Sequence, residues 1–390
     1  MTEMALAAYA MKDRDTEGRR FQEPPHPYRS DFQRDRDRVI HTKAFRRLEK
    51  KTQVFAPDYS DHFRNRLTHT IEVAQIARTI AEALGLNADL AEVLALSHDI
   101  GHPPYSHEGE KVLDRLMKRR GSGFEHNLHA LRIVEDFEEK YASFRGLNLT
   151  FEVREGIVKH SRDYEPAGET YVDISGYRLG ENPPLEAQII DLADEIAYNA
   201  ADLDDGYDSG LLPVDGLTSD LTLFRVLWAE VSARYPVAEE KRKVSEVIRR
   251  LINELVTSLI RETTRILEER GIVSVEGIRA APTRLVRFDE EMGTLNLEIK
   301  EFLRSHLYDH QVLRNAREDA ERQLEDLFQF YMEFPDRLPL GHRSRIGEQG
   351  LSRVVCDYVA GMTDLFARAK HHEVRSSEGV QGTFGRHGAA

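Results

Sequence analysis

Between Asn87 and Ile100 the chain turns apolar side chains in almost every direction: Leu90, Ala91, Val93, Leu94, Ala95, Leu96 and Ile100 leave hardly any polar face. A helix apolar all round belongs in the centre of a bundle, wrapped by amphipathic partners. Asn87 is its expected N-cap. The partners are visible too. From Arg66 to Leu84 the residues Leu67, Ile71, Ala74, Ala77, Ile80, Ala81 and Leu84 recur at three- and four-residue steps, which predicts a helix with one buried stripe, ended by Gly85. The same periodicity marks Glu108 to Arg120, His126 to Tyr141, Leu185 to Leu203, Leu221 to Arg234, Glu239 to Arg270, Leu295 to Leu303, Val312 to Glu333 and Arg343 to Lys370. Pro103, Pro104, Gly121 and Gly123 mark the breaks. Short stretches at 169–176 and 271–286 predict hairpins or loops, too small for a sheet, so the expected fold class is all-α.

Charge and cysteine content narrow the function classes. With 54 basic against 68 acidic residues the formal charge is -14, a poor match to a protein whose main work is coating nucleic acid. Cys356 stands alone, which excludes an intramolecular disulfide and paired-thiolate zinc sites. The opening Met1 to Ala10 lacks a basic leader, and no run approaches the roughly 18 apolar residues a bilayer span requires. A cytoplasmic protein without a membrane partner is expected.

His98 and Asp99 stand at the end of the most apolar helix. An unpaired ionised carboxylate there would cost several kcal/mol of desolvation, and a divalent cation is one compensator. His69 lies in the middle of an amphipathic helix, three residues after Arg66, and Asp194 falls in the run Asp191 to Glu195 of another. Two imidazoles and two carboxylates suit Mg, Mn, Fe, Co, Ni or Zn. Taken singly, His69 also reads as a satisfied core histidine and Asp194 as a carboxylate paired with an arginine. Arg46, Arg47, Lys50, Lys51, Arg64 and Arg66 form a basic cluster in an acidic chain, suited to a polyanion.

The order His69, His98-Asp99, Asp194 resembles the HD superfamily. The likeness extends through Lys43-Ala-Phe-Arg-Arg-Leu48, Thr52-Gln-Val-Phe55, Arg64-Asn-Arg-Leu-Thr-His-Thr70, the run from His98 to Glu110, Gly123-Phe-Glu-His-Asn127, Glu186-Ala-Gln188, Asp191 to Tyr198, and Asp357-Tyr-Val-Ala-Gly-Met-Thr-Asp364. It looks like the deoxyguanosine triphosphate triphosphohydrolase branch. The resemblance implies a helical HD bundle with additional C-terminal helices. It makes His69, His98, Asp99 and Asp194 metal ligands and places a catalytic histidine at His107 with Glu110 as its carboxylate partner. His102 and His126 would line the same pocket as donors to phosphate oxygens and the leaving group. Arg66 would meet the triphosphate, with Lys159 and His160 adding charge. Tyr198 and Asp202, four and eight residues after Asp194, would face the sugar and base from one side of a helix, and Gln53 would read the sugar.

The implied substrate is a deoxynucleoside triphosphate (dNTP) such as dGTP, hydrolysed to deoxynucleoside and tripolyphosphate with a divalent metal. Two rival readings are an HD phosphohydrolase acting on a nucleotide monophosphate, cyclic nucleotide or alarmone, and a non-catalytic regulator that binds nucleotide or single-stranded DNA. A nucleotide effector or ssDNA is a possible partner, and a homo-oligomer is expected. His306-Leu-Tyr-Asp-His310 departs from the family's more basic version at Asp309. The expected organisation is an extended N-terminal arm (1–35), packed on a neighbour, an HD core (36–210), a helical C-terminal part (211–372) and a disordered tail (373–390).

Overall fold

The computed structural model describes residues 6–55, 62–164 and 170–384, with 377–384 as backbone only. The all-α expectation holds: the described residues contain no β-strand, only isolated bridges such as Thr52 with Asn65. The core helices are α1 (Asp31–Ile40), α2 (Lys43–Arg47), α3 (Arg66–Ala83), α4 (Ala88–Ser97), α5 (Ser106–Lys118), α6 (His126–Arg132), α7 (Phe151–Val158) and α8 (Leu185–Asp208). Then come α9 (Val214–Asp220), α10 (Thr222–Arg234), α11 (Glu240–Glu269), α12 (Val275–Arg279), α13 (Glu290–Phe302), α14 (Gln311–Glu333), α15 (Leu340–Arg343), α16 (Ile346–Gln349), α17 (Leu351–Ala360) and α18 (Asp364–Phe384).

The all-round apolar segment is α4, and it sits where its composition requires, packed by α1, α3, α7 and α8. Every residue from Leu90 to Ser97 except Glu92 is buried. Asn87 caps it by accepting from the Leu90 amide at 3.2 Å. At the head of α3, Asn65 accepts from the Thr68 amide at 3.0 Å while Thr68 Oγ1 accepts from the Asn65 amide at 3.1 Å. This reciprocal box fixes the first turn that carries Arg66 and His69.

The N-terminal arm packs on its own chain: Ala10 and Met11 are buried, and the Ala7 amide donates to Gly85 O at 2.8 Å. Three expectations are corrected. The predicted helix from His126 to Tyr141 ends as α6 at Arg132 and finishes in one wide turn, Ile133–Phe137. The predicted helix from Arg343 to Lys370 is split into α16, α17 and α18, because Gly350 takes φ +80° and the chain turns again at Gly361. The stretch expected to be a disordered tail continues α18 as far as Phe384, and 385–390 lie outside the described residues. The apolar cores also do not divide at residue 210. Helices α9 to α13 join the large core around α4 and α8, whereas α14, α17 and α18 build a second one against Val112, Leu113, Leu116 and Met117 of α5.

One buried carboxylate couples the arm to the bundle. Glu186 is fully buried, and its Oε1 accepts from the amides of Met11 at 2.9 Å and Asn87 at 3.0 Å. Burial pushes it up from 4.5 to about 7, against the opposing effect of those amides. Because the folded-state value is the higher one, the native state holds its proton more tightly. Stability is therefore full below pH 4.5 and falls as pH rises through about 7. Glu186→Gln keeps the accepting oxygen without the charge, so it should raise stability by on the order of 2 kcal/mol at pH 8 and flatten that slope. Urea unfolding at pH 5 and pH 8 measures both, and an equal effect at the two pH values would refute the reading.

Candidate active site

Helices α3, α4 and α8 converge on one buried point. His69 is 1% exposed, His98 2% and Asp99 3%. His69 Nε2 lies 2.8 Å from Asp194 Oδ1, and His98 Nε2 lies 3.5 Å from Asp99 Oδ1 and 3.7 Å from Asp194 Oδ1. The donor atoms of His69, His98 and Asp99 are within 4.8 Å of one another, and those of His98, His160 and Asp194 likewise. The four residues read from sequence as metal ligands therefore do come together.

The donor chemistry fits a divalent cation. His98 Nδ1 stands 2.6 Å from Ala95 O, so it donates there, and in the neutral ring the Nε2 lone pair faces the cluster. That Nε2 is buried without a hydrogen-bond partner. Burial alone would lower the His98 imidazole, but Asp99 and Asp194 outweigh it and hold it up to about 9. Burial would raise the two carboxylates, yet Arg66 and His98 hold Asp99, and His69 and His98 hold Asp194, well below the usual range. Two anions that draw positive charge onto a buried imidazole make the electrostatic demand that a cation such as Mn²⁺ or Mg²⁺ meets.

Beside this cluster runs a second line of imidazoles. His102 Nδ1 is 3.0 Å from Asp99 Oδ1, and its ring lies 4.0 Å, centroid to centroid, from that of His126. Glu110 fixes His126 doubly, accepting from its amide at 3.0 Å and standing 2.9 and 3.0 Å from its Nδ1. His107 Nδ1 is farther from Glu110, at 3.8 Å, and its side chain is 72% exposed. The carboxylate expected to serve His107 thus mainly orients His126. Burial, Arg66 and the neighbouring His126 push His102 well below its ordinary value. Burial would lower His126 as well, but Glu110 raises it. The two rings are therefore driven apart, one toward neutral and one toward charged, as an acid–base pair requires.

Gly101 is what allows this contact. A Cβ there would stand 2.0 Å from His126 O and 2.5 Å from the Ala130 amide nitrogen, so only glycine lets α6 lie against the turn that follows His98 and Asp99. Gly101→Ala should push His126 off its position and cost on the order of 1–3 kcal/mol from overpacking. Thermal unfolding and kcat should fall together, and unchanged values for both would dismiss the contact.

These groups open into a cavity of about 1020 Å³. Gln53, Arg66, Tyr198 and Asp202 line it with His102, His107 and His126, as expected. The Arg66 guanidinium bridges the Asp99 carboxylate and Ser106 Oγ, the latter at 2.6 Å. Lys159 is a correction. Its ammonium points away, to Glu155 Oε1 at 2.8 Å and to Arg178 O and Glu181 O at 2.9 Å each, and joins Arg279 on the buried Glu155 carboxylate. The basic cluster is also dispersed. Of its six members only Arg66 lines the cavity, while Lys51 donates to His102 O and Arg64 is paired with Glu72, Asp204 and Asp205.

Positive charge comes instead from residues that sequence reasoning passed over: Lys111 of α5, Arg304, Arg317 of α14 and Arg368 of α18. They are spread over some 250 positions, so no local charge run betrays them. Tyr308, which donates to the Asp202 carboxylate, was missed in the same way, although its neighbour Asp309 drew notice and also lines the cavity. Asp364 opens α18 and accepts from the Thr52 amide at 2.7 Å and the Tyr105 amide at 3.0 Å, tying the C-terminal helices to both loops at the cavity. Tyr105 and Ser106 beside it take φ of 61° and 60°, strain that this clamp sustains.

Residues 66–199 match the HD domain and residues 286–373 match the phosphohydrolase-associated domain. The chain is 45% identical over 93% of its length to a deoxyguanosinetriphosphate triphosphohydrolase-like protein of Geobacter sulfurreducens, covering 93% of that protein. It is 44% identical to proteins of the same description from Thiobacillus denitrificans, over 97% of this chain and 99% of the relative, and from Ralstonia pickettii, over 96% of each.

Proposed function

This chain belongs to the HD-domain family of deoxyguanosinetriphosphate triphosphohydrolase-like proteins, and from that premise we propose that it hydrolyses deoxynucleoside triphosphates to deoxynucleoside and tripolyphosphate. The observation that carries the reading is the unpartnered, buried His98 Nε2 among His69, Asp99 and Asp194, at the wall of a cavity large enough for a nucleoside triphosphate.

A divalent cation on His69, His98, Asp99 and Asp194 would supply Lewis-acid charge to a phosphate oxygen and to the attacking water. The chain's own residues do the rest. Water adds to the α-phosphorus and gives up a proton to the neutral His102, the bond to the sugar 5′-oxygen breaks, and that oxygen takes a proton. His126, held by Glu110 and raised by it, is placed to donate that proton, with His107 nearer solvent to resupply it. Arg66 offers fixed N–H donors to the triphosphate from a buried position, so their order does not have to be won at the moment of reaction. In the same cavity the rings of Tyr198 and Tyr308 and the carboxylate of Asp202 suit a sugar and base.

Purified protein incubated with each of the four dNTPs and Mn²⁺ or Mg²⁺ should release tripolyphosphate in step with deoxynucleoside. Orthophosphate or pyrophosphate as product would instead favour a different phosphohydrolase, and no release from any dNTP, with or without a second nucleotide, would end the reading.

A further inference from the structure

His160 is absent from the four-ligand set, yet it is built like a ligand. It follows α7 and is 5% exposed. Its ring lies 5.1 Å from that of His98, and Nε2 is turned toward Asp194 Oδ2 at 3.9 Å. The other nitrogen, Nδ1, stands 2.8 Å from Asp191 Oδ1, an ion-pair contact that lacks hydrogen-bond alignment. Asp191 is held in turn by Arg284, which pairs with its second oxygen and donates to Lys159 O at 2.7 Å, and by the Ser161 amide at 2.8 Å. The His160 backbone is fixed from the opposite side, where Asn127 Nδ2 donates to its carbonyl at 2.7 Å.

An imidazole with a carboxylate against one nitrogen and its other nitrogen aimed into a cluster of His and Asp donors has the form of a metal-ligating histidine, whose second nitrogen almost always meets a carboxylate or carbonyl. The donor atoms of His98, His160 and Asp194 lie within 4.8 Å of one another, and those of His69, His98 and Asp99 do as well, so His98 links two triads around one point. We propose that His160 is a fifth protein donor to the cation, with Asp191 and Arg284 as its positioning residues. This rests on the reading that the cluster holds a divalent metal. Three imidazoles with two carboxylates favour a nitrogen-preferring transition ion such as Fe²⁺, Co²⁺ or Ni²⁺ over the oxygen-preferring Mg²⁺.

The test is metal binding, read without substrate. Calorimetric titration of the metal-free protein should show His160→Ala weakening Co²⁺ at least roughly tenfold while Mg²⁺ changes far less, and the visible absorption of bound Co²⁺ should shift. Asp191→Asn, which keeps the imidazole, should weaken Co²⁺ several-fold and leave that absorption near the wild type. X-ray absorption of the Co²⁺-loaded wild-type protein should count three imidazoles, a measurement that does not depend on any variant folding. A count of two, or unaltered Co²⁺ affinity and absorption in His160→Ala, overturns the assignment. Wild-type protein with two imidazoles that still releases tripolyphosphate would retain the function and lose only this inference, whereas wild-type protein that binds no divalent ion would remove the metal reading itself.

Discussion

Replacing His98 by alanine is expected to abolish retention of divalent metal and to reduce tripolyphosphate release by roughly 10³-fold or more, since a cation in such a site contributes several kcal/mol of charge stabilisation. The imidazole stands just past the end of α4, with Nδ1 on Ala95 O and Nε2 free of any hydrogen bond, facing only the carboxylates of Asp99 and Asp194 in the cluster. The helices around it keep their packing, and Asp99 keeps its ion pair with Arg66. Far-UV circular dichroism should therefore remain helical while elemental analysis finds no bound metal. A His98→Ala protein that retains a stoichiometric ion would remove His98 from the ligand set.

The second large effect is expected at Glu110. Glu110→Gln should lower kcat by roughly 10²–10⁴-fold, the range typical of lost proton transfer, while KM moves little. Burial would raise this carboxyl, but the neighbouring His107 and the hydrogen-bonded His126 hold it well below the usual carboxylate range. The carboxylate therefore stays charged and supports a proton on the His126 ring. A glutamine fills the same space but cannot stabilise that charge, and its amide can present an N–H to Nδ1 and turn the ring. His126→Ala should then lose about as much as Glu110→Gln, and the double variant should lose little more than either, because the two act as one unit. A rise in KM with kcat intact would instead make Glu110 a substrate-binding group.

Much of this was legible in the chain because it is encoded locally. The all-round apolar run at 90–96 can only be a central helix, and the stripe from Leu67 to Leu84 can only face it. His69 and the His98-Asp99 pair are placed by those two helices, so finding the helices found the residues. Asp194 follows from the register of α8, which also carries Tyr198 and Asp202 on the same side. Helix ends were less legible. The splitting of Arg343 to Lys370 turns on two glycines, Gly350 with its positive φ and Gly361 at the end of α17, that do not interrupt the apolar period.

What the chain determined by itself is the all-α bundle, the buried position of its one fully apolar helix and the residue types at the His/Asp cluster. These depend on side-chain period and on the cost of burying charge, and both can be read along a single strand of sequence. The tertiary structure decided which partner each polar group takes. It gave Glu110 mainly to His126, turned Lys159 away to Glu155, set Asp191 and Arg284 behind His160, and gathered Arg304, Arg317 and Arg368 at one cavity. Pairings of this kind join positions far apart in the chain, and a hydrogen bond or ion pair is fixed by distances of a few ångströms that only the packed helices set.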